Sequence, residues 1–259
     1  MLRLPAQFAD LLSAKGRRAL EGRSPRLTGI LKTGQRFIAA NDLLDPARSR
    51  ALLHLLETSV AAHLTPMESP IPPESIWGMD ENYAELLPKT VRCQTVTMAS
   101  RSKGARAVER LGLHRLLSSD TFGRLAEVLS GRRVRRGWGT QLLAYGPGDY
   151  AGPHNDHHPE DAEAHDGYTD LHLTFCTAGV ARQNLVYAPL GHFSEEANVN
   201  TLGGVTAYRL PFWHYTTPLI ARRGRPARRW VLLGTFLDQP SSPLPNSASG
   251  AVYPSRARG

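Results

Sequence analysis

The sequence has only two cysteines in 259 residues, Cys93 and Cys176. Two cysteines are too few for the disulfide framework that stabilises small secreted domains. A chain of this length can instead bury enough apolar surface for one domain with a sizeable core. We therefore expect a protein of a reducing compartment, and a cytoplasmic location fits best.

Long apolar runs are also missing. No window approaches the roughly 20 consecutive apolar residues that a transmembrane helix needs. The N-terminus has an early proline and an early acid, Pro5 and Asp10, and no apolar stretch long enough for a secretory signal. We predict neither a membrane segment nor a secretory leader.

Acidic residues are scarcer than basic ones, 23 against 31, which gives a net charge of +8 and a pI near 9.9. Such a balance permits an acidic partner, nucleic acid included. Aromatic residues make up only 7% of the chain, however, and they do not interleave with the arginines as in a groove that binds single strands. We interpret the arginines as a solvated surface and do not expect nucleic acid as a partner.

Helical patterns occupy the first half of the sequence. Asp45 can cap a helix, Pro46 suits the first helical position, and leucines recur at helical spacing before Pro66. The other predicted elements of this half are helices over 6–14, 105–117 and 119–129, a proline-rich connection over 66–73 and a strand over 90–98.

From Gly131 onward the pattern changes to short strands separated by glycine, proline and asparagine. The predicted strands cover 139–145, 169–177, 184–187, 204–209 and 229–236. Their spacing fits a double-sheet jelly roll of the cupin type. We therefore predict an α+β, mainly β fold: a double-stranded β-helix buttressed by N-terminal helices. The predicted units are a helical region (1–130), the β-helix core (131–238) and a tail poor in apolar residues, expected to be disordered (239–259).

A histidine and a carboxylate follow a turn near the middle of the chain. His154 and Asp156 are two residues apart, so in an extended segment their side chains point to the same side. An imidazole beside a carboxylate supplies two thirds of the facial triad that binds non-haem iron(II). His214, well downstream, is the best candidate for the third ligand.

Three motifs in this order resemble a known family. His154-Asn-Asp156 is followed by His214 with Pro218, and then by Arg229-Trp-Val-Leu, a basic residue that opens an apolar strand. Over about residues 138–238 this resembles the iron(II)/2-oxoglutarate-dependent dioxygenase superfamily, and in particular its prolyl-4-hydroxylase-like branch.

The resemblance implies the reaction and its cofactors. Such an enzyme uses Fe(II), 2-oxoglutarate and O2 to hydroxylate an unactivated C–H bond, with succinate and CO2 as co-products. The implied metal ligands, which are also the catalytic residues, are His154, Asp156 and His214. The presence of Asp156 disfavours halogenation, because halogenases of the family lack this carboxylate.

The co-substrate site is implied at Arg229 and Tyr145. A guanidinium can bond the distal carboxylate of oxoglutarate through two nitrogens, and Tyr145 resembles the family tyrosine whose hydroxyl reaches the same molecule. Fifteen residues separate His214 from Arg229, more than is usual in prolyl hydroxylases, so Arg228 is a rival. We prefer Arg229, since Arg-Trp-Val-Leu matches the family pattern.

Further residues could border the same cavity. These are Gln141, the alternating set His172, Thr174 and Cys176, and the segment 182–184, where the family often places residues that face the substrate.

Two other functions agree less well with the sequence: nucleic-acid demethylation and non-catalytic binding. Nucleic-acid demethylases of the superfamily carry a second arginine six residues after the first, whereas Thr235 or Gly234 stands there. A non-catalytic cupin-like binding module would leave the triad and the basic strand unexplained. The sequence leaves open whether the substrate is a small molecule, an amino acid or a peptide, and also the oligomeric state.

Overall fold

The computed structural model describes residues 4–32, 34–76, 87–96, 102–156, 167–189 and 192–239. The α-helices in this part of the chain are α1 (Ala14–Leu20), α2 (Pro46–Ser59), α3 (Lys103–Leu111), α4 (Leu113–Leu117) and α5 (Asp120–Ser130). The strands are β1 (Phe37–Ala40), β2 (Leu64–Pro70), β3 (Thr90–Val96), β4 (Val134–Tyr145), β5 (Tyr150–His154), β6 (Tyr168–Cys176), β7 (Val180–Arg182), β8 (Asn184–Tyr187), β9 (Glu195–Asn198), β10 (Leu202–Leu210), β11 (His214–Thr216), β12 (Ile220–Ala221) and β13 (Arg229–Asp238). Apart from Gln239, the tail predicted to be disordered lies outside the described residues.

Eight of the strands form two four-stranded antiparallel sheets. The major sheet has the order β10-β6-β13-β4 and the minor sheet the order β5-β11-β8-β9. β1 extends the major sheet at β10, and β3 links the two sheets because it pairs with both β4 and β5. This arrangement is a double-stranded β-helix, which confirms the predicted fold class.

Helices cover the outer face of the major sheet. α2, α4 and α5 pack on its strands, and the largest apolar core lies between them. Strand alternation supplies this core, since every second residue of β6 and β13 faces the helices. Its sheet residues include Leu171, Leu173, Phe175, Trp230, Leu232 and Phe236.

Two helix boundaries follow directly from the sequence. The side chain of Asp45 accepts hydrogen bonds from the N–H groups of Ala47 and Arg48, and Pro46 opens α2 as predicted. The helix predicted over 105–117 is divided, because Gly112 ends α3 in the left-handed region with φ of 78°. The helix predicted over 6–14 is wrong: a single 3-10 turn spans Phe8–Leu11, and α1 begins only at Ala14.

The first 130 residues are not wholly helical, since they contribute β1, β2 and β3. The connection predicted over 66–73 is wrong, because β2 runs through it as far as Pro70. Among the described strands β2 pairs only with β3, so its prolines remove no hydrogen bonds to a second described neighbour. The division into units at residue 130 stays a prediction.

No described helix has both the length and the apolar character needed to cross a membrane, and the longest, α2, has 14 residues.

Candidate metal centre and its cavity

Two histidines face each other across neighbouring strands of the minor sheet. β5 and β11 are antiparallel with His154 opposite His214, and the ring centroids are 4.3 Å apart. Each ring donates its Nδ1 proton to a backbone carbonyl: His154 to Gly152 at 2.6 Å, and His214 to Phe212 at 2.9 Å. These bonds fix the ring orientation and leave each Nε2 with a free lone pair, as in histidines that bind metals.

Asp156 completes the group. Its Oδ1 lies 3.4 Å from Nε2 of His154, and its Oδ2 lies 3.5 Å from Nε2 of His214. The three ligand atoms all lie within 4.8 Å of one another. The structure thus brings together the three residues that the sequence singled out as metal ligands.

The prediction that an extended segment places His154 and Asp156 on the same side is wrong. β5 ends at His154, and Asp156 has φ of 55°, in the left-handed region rather than in an extended strand. Aspartate is among the few residues that tolerate this conformation. The hydroxyl of Tyr168 donates to the Asp156 carbonyl oxygen, and the N–H of Asn155 donates to Ser75 O at 2.9 Å. A turn held from two sides, and not strand alternation, therefore aims the carboxylate at the imidazoles.

Burial keeps the site ready for a cation. Desolvation, with the nearby His154 adding to it, lowers the pKa of His214 to about 3, so the ring is neutral near pH 7. The side chain of Asp156 is 33% exposed and supplies the single negative charge. Two imidazoles and one carboxylate on one side of a cavity fit the donor set of non-haem iron(II).

The triad opens into a cavity of about 560 Å³ between the two sheets. Its wall on the major sheet is the inner face of β4, β6, β10 and β13. The polar residues of that wall and of β11 include Gln141, Tyr145, Asp170, His172, Tyr208, Thr216, Arg229 and Thr235.

Arg229 lies at one end of this cavity and is 1% exposed. Its guanidinium carbon is 5.2 Å from the centre of the Tyr145 ring, which is its register partner on β4. Its Nε is buried without a hydrogen-bond partner, and no carboxylate of the described residues forms an ion pair with it. A buried, unpaired guanidinium is costly unless a ligand completes it. The residues present therefore fit the distal carboxylate of oxoglutarate.

Arg228 lies on the opposite face. Its Nη1 is 2.8 Å from Oε2 of Glu57 on α2, and its guanidinium carbon is 5.6 Å from the centre of the Trp230 ring. Trp230 Nε1 donates to the other oxygen of Glu57 at 2.6 Å. Arg228 thus ties a helix to the sheet and does not line the cavity.

Gln183 is a residue of the site that sequence reasoning did not identify individually. It is fully buried between β7 and β8, and its Nε2 donates to the carbonyls of Asp149 (3.2 Å) and Thr217 (3.1 Å). Its Oε1 accepts from Nη1 of Arg229 at 3.0 Å. Because two carbonyls hold the amide nitrogen, the amide oxygen must face the guanidinium and fix its orientation. The only signal in the sequence is its place in the segment 182–184.

The remaining predicted residues divide between cavity and core. Gln141 and His172 line the cavity, whereas Cys176 packs in an apolar cluster with Tyr145. Burial raises the pKa of both Cys176, to about 12, and Tyr145. Arg182 is exposed.

The protein is thus a double-stranded β-helix whose cavity holds a cluster of two histidines and one carboxylate. No protein-family model matches the sequence, and no curated protein does.

Solved structures do match. A prolyl hydroxylase from Trichoplax adhaerens, in complex with a peptide fragment of a hypoxia inducible factor oxygen degradation domain, matches with a TM-score of 0.50 and 12% identity over 87% of this chain and 94% of that chain. A Pseudomonas putida prolyl-4-hydroxylase matches with a TM-score of 0.46 and 10% identity, over 86% and 99%. A 2OG-Fe(II) oxygenase family member from Burkholderia pseudomallei gives 0.45 and 11%, over 91% and 92%. At 12% identity the first match supports the fold alone, and this fold is the one that the strand spacing predicted.

Proposed function

We propose that this protein is an iron(II)/2-oxoglutarate-dependent dioxygenase. It hydroxylates an unactivated C–H bond of a small molecule, an amino acid or a peptidyl substrate and releases succinate and CO2. The observation that carries the proposal is one cavity that holds both the His154–Asp156–His214 cluster and the unpaired guanidinium of Arg229.

Each residue has a defined task in this proposal. His154, Asp156 and His214 hold Fe(II) on one side and leave its other side open to the cavity. Arg229 binds the distal carboxylate of oxoglutarate, with Tyr145 and Gln183 holding the guanidinium in place. Bound iron and oxoglutarate supply the chemistry that activates O2 for insertion into a C–H bond.

The cavity wall also serves the reaction. Apolar side chains such as Ile71, Leu185 and Leu233 line it beside the polar groups, and they limit the water that can reach the reacting centre. A dry surrounding also strengthens the pairing of Arg229 with a carboxylate.

Two observations favour this function over nucleic-acid demethylation. Thr235, where demethylases of the superfamily carry a second arginine, lines the cavity opposite Asp170 in the strand register. That end of the cavity therefore presents a hydroxyl and a carboxyl group, and it offers a phosphate no guanidinium to pair with.

The test combines metal binding with turnover. Calorimetry should show that His154→Ala, Asp156→Ala and His214→Ala each abolish Fe(II) binding under anaerobic conditions, because each removes one of three ligands. Release of succinate from oxoglutarate should stop in the same variants, while circular dichroism shows an intact fold. His54→Ala is the matched control, since His54 is exposed on α2 and should bind iron like the wild type.

Other outcomes separate the alternatives. Iron affinity that survives in the Asp156 and His214 variants would show that the ligand assignment is wrong. Iron binding without succinate release, across a panel of amino acids, peptides and methylated oligonucleotides, would favour a non-catalytic binding module. Stimulation by methylated oligonucleotides alone would favour the demethylase.

A further inference from the structure

The end of the cavity opposite Arg229 carries a carboxylate that the proposed reaction does not use. Asp170 lies on the inner face of β6, paired in register with Thr235 of β13 and with Tyr208 of β10. Arg229 and Thr235 are six residues apart on β13, which corresponds to about 20 Å along a strand. The two charged residues of the major sheet that line the cavity therefore stand at its opposite ends.

Asp170 is buried without adequate compensation. The residue is 8% exposed, and its Oδ1 has no hydrogen-bond partner. The only described basic side chain within 4 Å is that of His172, whose Nε2 lies 3.9 Å from Oδ2, too far for a hydrogen bond. His172 Nε2 is likewise buried without a hydrogen-bond partner. One carboxylate oxygen of Asp170 and one ring nitrogen of His172 on the wall of the cavity thus lack the partners that buried polar atoms normally have.

The chemistry of Asp170 and His172 indicates which kind of ligand would bind beside them. Burial raises the pKa of Asp170, and a cation that also donates hydrogen bonds stabilises the ionised form of such a carboxyl best. An ammonium or a guanidinium group meets both requirements. No described basic side chain other than His172 lies within ion-pair distance of Asp170, so the described part of the chain leaves room beside this carboxylate for a cationic ligand.

We propose that Asp170 binds a positively charged ammonium or guanidinium group of the primary substrate, and that His172 and Thr235 border this subsite. The inference rests on the proposed function, because it divides the cavity between two occupants. Oxoglutarate takes the end at Arg229, and the substrate takes the end at Asp170 with its reacting carbon toward the triad.

The opposite charges of the two ends also determine which of the two molecules binds at each end of the cavity. Arg229 attracts the dicarboxylate and Asp170 repels it, whereas a cationic substrate meets the reverse arrangement. Specificity gained by attraction at one end and repulsion at the other is stronger than specificity from one contact. The substrate class is thus amines and guanidines, such as basic amino acids or their decarboxylated products.

The experiment measures binding rather than turnover. The full chain is loaded with Mn(II) and oxoglutarate without oxygen, and calorimetry gives the affinity for L-arginine, L-lysine and agmatine. L-citrulline and L-norleucine match the first two in length and have neutral side chains, and the α-ammonium group is common to both members of each pair. We expect L-arginine or L-lysine to bind at least tenfold more tightly than its counterpart with the neutral side chain. The preference should disappear in Asp170→Asn, which keeps the shape but removes the charge.

A control and a second variant complete the design. Asp42→Asn removes an exposed carboxylate that pairs with Lys15, and it should keep the preference for charged probes. If Asp170→Asn does not fold, Asp170→Ser removes the same charge with a smaller side chain. The inference is overturned if no charged probe binds, if the two members of each pair bind alike, or if the preference survives in the Asp170 variant. Failure of the wild type to bind Mn(II) and oxoglutarate would instead contradict the proposed function.

Discussion

The two faces of the major sheet differ in what their side chains touch, although the residues alternate along the same strands. On the outer face, Trp230 and Leu173 are fully buried in the core between sheet and helices. On the inner face, Arg229 and Asp170 line the cavity, and each has a buried polar atom without a partner. The apolar core around Trp230 and Leu173 is complete as the chain folds, whereas we propose that bound ligands complete the inner face at Arg229 and Asp170.

Arg228 and Arg229 show the same difference at adjacent positions. Arg228 has both its partners within the chain, Glu57 and the Trp230 ring. Arg229 has a neutral amide and an aromatic ring beside it, and no described carboxylate balances its charge. A shift of one residue along the chain therefore separates an arginine that pairs with a carboxylate from one that has no described carboxylate partner.

The largest expected effect tests the outer face. Leu173→Ala should lower the free energy of unfolding by about 2–5 kcal/mol, because it leaves a hole in a closed apolar core. Leu233→Ala is the matched change on the inner face, where the side chain borders an existing cavity, and its cost should be smaller. Urea unfolding of both variants gives the two values. Equal losses would mean that the inner wall is packed as tightly as the core.

Local signals in the sequence located several helices and strands. Asp45 and Pro46 mark the start of α2, and β8 has the predicted bounds, Asn184–Tyr187. The alternation on β13 also separates the two arginines, since only one of two neighbours on a strand can face inward. Signals of this kind act over a few residues, so they can be read from the chain.

Other features depend on distant partners and could not be read in this way. β11 has only three residues, too few to show a period, and its pairing with β5 and β8 defines it. The turn at Asp156 is held by Tyr168 and by the backbone of Ser75, far along the chain. Gln183 reaches Arg229 across 46 residues. The sequence predicted which residues form the candidate metal centre and their order along the chain. It did not predict their geometry.

The second prediction compares the two arginines. Arg229→Met should weaken oxoglutarate binding by about 2–5 kcal/mol, because it removes the charged partner of the carboxylate from a desolvated site. Arg228→Met should leave oxoglutarate binding unchanged and lower the stability by no more than about 1 kcal/mol, the range of half-exposed ion pairs. Calorimetry on the Mn(II)-loaded protein and urea unfolding measure the two effects. The reverse pattern would move the co-substrate site to Arg228.

The smallest effect, and the sharpest test of the inner face, concerns Gln183. Gln183→Leu should weaken oxoglutarate binding by about 1–3 kcal/mol, because it removes a buried acceptor from the Arg229 guanidinium. Metal affinity should not change, since Gln183 contacts none of the three candidate ligands among the bonds described for it.

A double-mutant cycle decides whether Gln183 acts through Arg229. In the Arg229→Met background the guanidinium is gone, so Gln183→Leu should cause no further loss of oxoglutarate affinity. Losses that add up in the double variant would mean that Gln183 shapes the cavity by itself. Gln141→Leu is the control, because Gln141 also lines the cavity but lies on β4 and has no described bond to Arg229. Its loss should be the same with and without Arg229, and that contrast separates positioning of the guanidinium from a general change of the cavity wall.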